Sequence, residues 1–172
     1  VSAYAGAVAW VCFWLLALVW KDGASSPTGL VLVQVGTGLA LLAWYRRFRL
    51  PFTMFLLGLA GFGIALVLSA NLDANGLSVR GMERMFDLRS GSTLALGTLI
   101  FGLAALAGGL WFDMKDPHRL GRASASGFWL HILAAPALVN TVALTFYNMG
   151  PGTGYALLGL SLALGAALAL II

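Results

Sequence analysis

Apolar runs separated by short polar loops organise this chain, near residues 4–20, 28–45, 51–71, 93–112, 124–147 and 153–172. A helix rising about 1.5 Å per residue needs about 20 residues to cross a hydrocarbon core of roughly 30 Å, and each run is near that length. The pattern predicts an all-α fold: a polytopic transmembrane helical bundle of about six spanning helices in one domain. The first run is too long, too rich in Trp and too poor in basic flanking residues to be a cleavable signal peptide. It stops at Lys21 and Asp22, and the Gly/Ser/Pro stretch at 23–27 reads as a tight turn. The second run ends on Trp44 and Tyr45 followed by Arg46, Arg47 and Arg49, an aromatic pair and basic cluster that mark a membrane interface. Pro51 opens the third, where a first helical turn tolerates it.

The longest loop joins the third and fourth runs. Near 78–89, Val79, Met82, Met85 and Phe86 recur at helical spacing, with Arg80, Glu83, Arg84 and Asp87 filling the other side. A short amphipathic helix lying in the interface is predicted. Its plain reading is a surface helix folded back over the bundle. Its functional reading makes Arg80, Met82, Arg84, Met85 and Phe86 a docking site for another subunit or for lipid headgroups.

Composition sharpens the picture: 60% of residues are hydrophobic, 9% are charged and the mean hydropathy is +0.93. A soluble domain carries roughly a quarter charged residues, so the lipid bilayer is the expected solvent. The formal charge of +4 and pI of 9.7 raise the question of nucleic acid. The basic residues sit in short loops, not on one clustered face, so no nucleic-acid partner is expected. They report topology instead, because Lys and Arg are retained on the cytoplasmic side. The loops with Arg46, Arg47 and Arg49 and with Lys115, Arg119 and Arg122 fall on one side, predicted cytoplasmic, opposite the uncharged loop at 148–152. The loop with Arg80, Arg84 and Arg89 falls on that opposite side, accompanied by Asp73, Glu83 and Asp87. Both ends of the chain are then cytoplasmic, in a bacterial inner membrane. The chain starts without Met and ends on Ile171 and Ile172 with no polar anchor, so further helices or a soluble domain are expected beyond it.

Candidate chemistry is sparse. Cys12 is the single cysteine, which leaves no disulfide framework and no Cys-based metal site. No carboxylate lies at the centre of a run, which disfavours a proton-coupled carrier. His118 sits in a charged loop, leaving His131 without a second imidazole for a haem. The stretch Asp73-Ala74-Asn75-Gly76 superficially resembles a calcium loop, yet the alternating ligands and distal Glu are missing. Phosphate loops, zinc-binding His-Glu pairs and nucleophile elbows are absent from the sequence as well. No catalytic residue, metal or cofactor is expected, and the chain reads as non-enzymatic.

Three polar residues do lie inside runs: Gln34 in the second, and His131 and Asn140 around Pro136 in the fifth. They form the candidate intramembrane polar cluster, with Pro136 as the candidate kink, since a Pro frees a carbonyl that nearby polar side chains satisfy. An interhelical hydrogen-bond cluster is the plain reading; a permeation or ligand site is the functional one. If the helix starts near Ser124, His131 lies about 10 Å inside, where a charged imidazolium is expensive. A neutral ring, turned inward and bonded to a neighbouring helix, is expected. Asn140 follows nine residues later, roughly 180° around an unbroken helix, so the two share a face only if Pro136 rotates the second half. Helices in lipid approach through small residues, and four-residue stripes of them recur: Gly61, Ala65 and Ser69; Ala104 with Gly108; Ala105 with Gly109; and Ser161, Gly165 and Ala169.

The loop Asp113-Met114-Lys115-Asp116-Pro117-His118-Arg119, followed by Phe128-Trp129-Leu130-His131 and Ala134-Ala135-Pro136, resembles a pattern in multi-pass inner-membrane proteins of proteobacteria whose function is not assigned. The resemblance covers roughly the fourth to sixth runs. It implies a longer protein with extra helices at both ends and a soluble N-terminal segment, and it carries over no catalytic residue. The functional expectation is an accessory or scaffold subunit of a larger inner-membrane assembly, contacting other membrane subunits or further copies of itself. The alternative is a channel or carrier for a neutral or small solute, built on Gln34, His131 and Asn140.

Overall fold

A computed structural model describes residues 1–19, 26–72, 78–118 and 121–171. Lys21, Asp22, most of the predicted turn at 23–27, the 73–76 stretch and Arg119 lie outside the described residues, as do the side chains of Arg80, Gly165 and Ala169. Among the described residues all regular structure is helical: α1 (Ser2–Val19), α2 (Pro27–Phe48), α3 (Phe52–Leu72), α4 (Val79–Glu83), α5 (Thr93–Lys115), α6 (Arg122–Asn148) and α7 (Thr153–Ile171), with a 3-10 turn at Leu88–Ser90. Four of them, α2, α3, α5 and α6, are long and apolar enough to cross a membrane.

Local chemistry sets the ends. Ser26 caps α2 by accepting from the Gly29 N–H at 3.1 Å, and Pro27 occupies a first-turn position where its missing N–H costs nothing. At the other end Arg49 closes α2 in a left-handed conformation (φ 49°), its N–H donating to the Tyr45 carbonyl at 2.7 Å. Ser92 caps α5 through the Leu94 N–H, and Thr93 Oγ1 donates to the Ser69 carbonyl at 2.7 Å, tying the start of α5 to the end of α3.

α5 and α6 form the most intimate pair, α3 packs on α2, α5 and α6, and the end helices α1 and α7 pack chiefly on α2 and α6. The interior is made of small residues: Ala60, Ala95, Ala105, Ala134 and Ala137 are buried, together with Thr37, Thr98, Ser126 and Thr141. Each of those four hydroxyls donates to the carbonyl four residues back, whereas the equally buried Thr53 Oγ1 has no hydrogen-bond partner among the described residues. Leu41, Leu94 and Met54 are buried among them, but most large apolar side chains face outward, including Trp10, Leu18, Leu72 and Ile100. This is the inverse of a water-soluble core and the arrangement expected when lipid, as apolar as Leu, surrounds the bundle.

Two sequence expectations need correction. The helices outrun the apolar runs: 28–45 becomes Pro27–Phe48, and 93–112 becomes Thr93–Lys115. Polar side chains at an interface reach water while their backbone stays helical. The amphipathic helix expected near 78–89 is only the five residues Val79–Glu83. It stops because Asp87 folds the chain locally, its Oδ1 accepting from the Arg89 N–H at 2.9 Å and its carbonyl accepting from Ser90 Oγ at 2.6 Å.

Candidate functional site

Two glycines let α5 and α6 cross closely. A Cβ on Gly109 would stand 2.5 Å from Cε1 of His131, and one on Gly127 would stand 2.7 Å from Asp113 Oδ1 and 3.0 Å from the Gly109 carbonyl oxygen. Asp113 follows Gly109 by four residues and His131 follows Gly127 by four. Each polar side chain thus sits one turn along its own helix from the glycine whose gap admits the other. His131 Nε2–H donates to Asp113 Oδ2 at 2.9 Å; a carboxylate only accepts, so the proton sits on Nε2.

One turn nearer the basic loops, Ser126 is fully buried. Its hydroxyl donates to the Arg122 carbonyl at 2.8 Å, so the 3.1 Å contact with Tyr45 runs from the phenol O–H to Ser126 Oγ. The Tyr45 ring stands edge-on to Phe112, with centroids 6.4 Å apart. Tyr45 therefore joins α2 to α5 and α6.

Below this junction opens a cleft of about 540 Å³. Arg46 and Arg49 of α2, Lys115 of α5 and Arg122 of α6 line it with Leu42, Met54, Trp111 and Phe112. No carboxylate is among the described lining residues. The nearby ones are engaged: Asp113 with His131, and Asp116 as acceptor of the Gly121 N–H. Lys115 Nζ lies 3.4 Å above the Trp111 ring, a cation–π contact that anchors the ammonium without neutralising it. Chemically, the arrangement offers two separate interhelical hydrogen bonds, Tyr45 to Ser126 and His131 to Asp113, and, beside them, a cavity whose described charged lining is all basic.

The predicted polar cluster is not assembled. Gln34 lies against Gly63 of α3, where an added Cβ would come within 2.9 Å of its Nε2. His131 faces α5, and the Asn140 side chain is exposed. α6 runs unbroken through Pro136, whose ring is exposed and borders a small cavity with Phe86, Leu59 and Phe101. The α3 stripe packs within the bundle: Gly61 approaches Phe101, while Ala65 and Ser69 border the position of Gly97. Ser161 donates to the Leu158 carbonyl and borders an apolar groove shared with α6. Of the docking candidates, Met82 and Arg84 are exposed, whereas Met85 is half-buried and Phe86 turns toward the bundle.

Ser126 was not singled out from the sequence, Tyr45 was read only as an interface marker and Asp113 only as part of a loop pattern, and the four cations of the cleft were read chiefly as topology markers. The stripe Ala105-Gly109 has Asp113 as its next member, which was the available signal. The chain matches no protein-family model, no curated protein and no solved structure.

Proposed function

We propose that this chain is a non-enzymatic multi-pass protein of a bacterial inner membrane, crossing it six times and acting as an accessory or scaffold subunit of a larger assembly. The observation that carries the reading is the way the end helices are held. α1 packs chiefly on α2 and α7 on α6, leaving an aromatic ridge with Trp10 and Trp14 outward on α1. Eighteen residues of α1 and nineteen of α7 reach about 27 Å or more as helix, close to a full crossing. Gln34, His131 and Asn140 point to three different surroundings, which supports a scaffold over a channel or carrier. Extraction in mild detergent followed by crosslinking is expected to recover a stoichiometric membrane partner or a second copy of the chain. A lone monomer would overturn the reading.

A further inference from the structure

We propose that the basic cleft where α2, α5 and α6 end is a binding site for one anionic glycerophospholipid, with the headgroup phosphate among Arg46, Arg49, Lys115 and Arg122. The inference rests on the membrane reading and is independent of the scaffold role.

The first argument is charge. Four cations converge on one cavity of about 540 Å³ without a carboxylate among its described lining residues. The one ion-pair geometry among the described residues is that of His131 with Asp113, so none of the four is paired with a described carboxylate. Like charges held together repel, and an anionic phosphodiester reduces the repulsion while its oxygens accept the forked guanidinium donors in pairs.

A second argument is the walls. Leu42 and Trp111 are outward-facing and apolar, so the cleft continues from the cationic rim onto the surface that meets lipid tails. A soluble phosphate has no use for such a wall. An amphiphile with a phosphate at the interface and chains alongside the helices matches both halves.

The backbone of Arg49 supplies the third. It is the one non-glycine with positive φ among the described residues (φ 49°). Gly is the ordinary occupant of such a helix-terminating position, and any side chain there is strained. Strain kept at a ligand clamp is a recurrent pattern, and here it places a guanidinium on the cleft.

The test uses the whole chain, delipidated in neutral detergent, with native mass spectrometry after mixing with phosphatidylglycerol, phosphatidylcholine or inorganic phosphate. One phosphatidylglycerol per chain is expected, about ten-fold preferred over phosphatidylcholine, and inorganic phosphate in excess should not displace it. Arg49→Gly and Arg122→Gln should each weaken retention about five-fold. Arg49→Gly should keep or raise the thermal midpoint, because glycine suits the left-handed backbone, so its loss of lipid cannot be blamed on misfolding. Arg47→Gln is the control, being at the same end but not on the cleft; it should leave retention unchanged. Equal retention of phosphatidylcholine, displacement by inorganic phosphate, an unaffected Arg49→Gly, or an Arg47→Gln as weak as Arg49→Gly would each overturn the proposal.

Discussion

A single methyl group is a sensitive probe of how α5 and α6 meet. Replacing a helical Gly by Ala ordinarily gains about 0.5–1 kcal/mol by restricting the unfolded chain. At Gly6, where an added Cβ meets nothing within 4 Å, that gain is expected in full. At Gly127 the same methyl would meet the Gly109 carbonyl oxygen at 3.0 Å as well as Asp113 Oδ1. Backbone cannot swing aside, so the helices must part, and overpacking of this kind costs about 1–3 kcal/mol. Gly6→Ala should therefore raise the thermal midpoint in detergent slightly, whereas Gly127→Ala should lower it by several degrees. A Gly127→Ala protein as stable as its parent would show that the crossing is looser than the geometry states. The sequence already displayed Gly109 and His131, yet not their meeting. Hydropathy ended the fourth run at residue 112, and this removed Asp113 from the stripe to which it belongs.

At the level of elements, the four long apolar helices α2, α3, α5 and α6 were legible because hydrophobic length is a physical requirement of the bilayer, and the segment at 78–89 was not. Its apolar residues do carry a helical period, but period alone ignores competition from side chains that bond their own backbone. Asp87 decides the outcome. Besides its local bonds, its Oδ2 accepts from Asn148 Nδ2 at 2.8 Å, while Arg89 Nη1 donates to the Asn148 carbonyl at 2.8 Å and the Leu88 N–H donates to Thr145 Oγ1 at 3.1 Å. These contacts pin the loop to the end of α6, and Phe86 then turns into the space beside Leu59, Phe101 and Pro136. Pinning replaces the free interfacial helix. Asp87→Ala should release the segment at a cost of about 1 kcal/mol. Hydrogen exchange is the measurement: amides at 84–92 should lose about five-fold in protection, with those of α5 and α6 unchanged. A uniform loss along the chain would mean that Asp87 supports the whole bundle instead.

For the molecule as a whole, charge and connectivity can be read together. Arg46 and Arg49 share a cleft with Lys115 and Arg122, so the loops after α2 and α5 lie at one end of the bundle. Asp87 and Arg89 bond Asn148, so the loop before α5 and the end of α6 lie at the other. Among the described side chains, the first end holds Arg46, Arg47, Arg49, Lys115 and Arg122 against Asp113 and Asp116, and the other holds Arg84 and Arg89 against Asp87. The cleft end is therefore the more basic of the two among the described residues. In the proposed topology, retention of Lys and Arg puts that end on the cytoplasmic side, where a negatively charged leaflet surface would attract the same residues. Topology and lipid binding would thus draw on one set of side chains. Ser90 and Ser124 lie near opposite ends, Ser90 in the turn before α5 and Ser124 in the first turn of α6. In a background with Cys12 replaced by Ser, Ser124→Cys should react with a membrane-impermeant thiol reagent only from the cytoplasmic side, and Ser90→Cys only from outside. Labelling of both from one side would remove the up-and-down arrangement on which the cleft, the loop tether and the six-span count all depend.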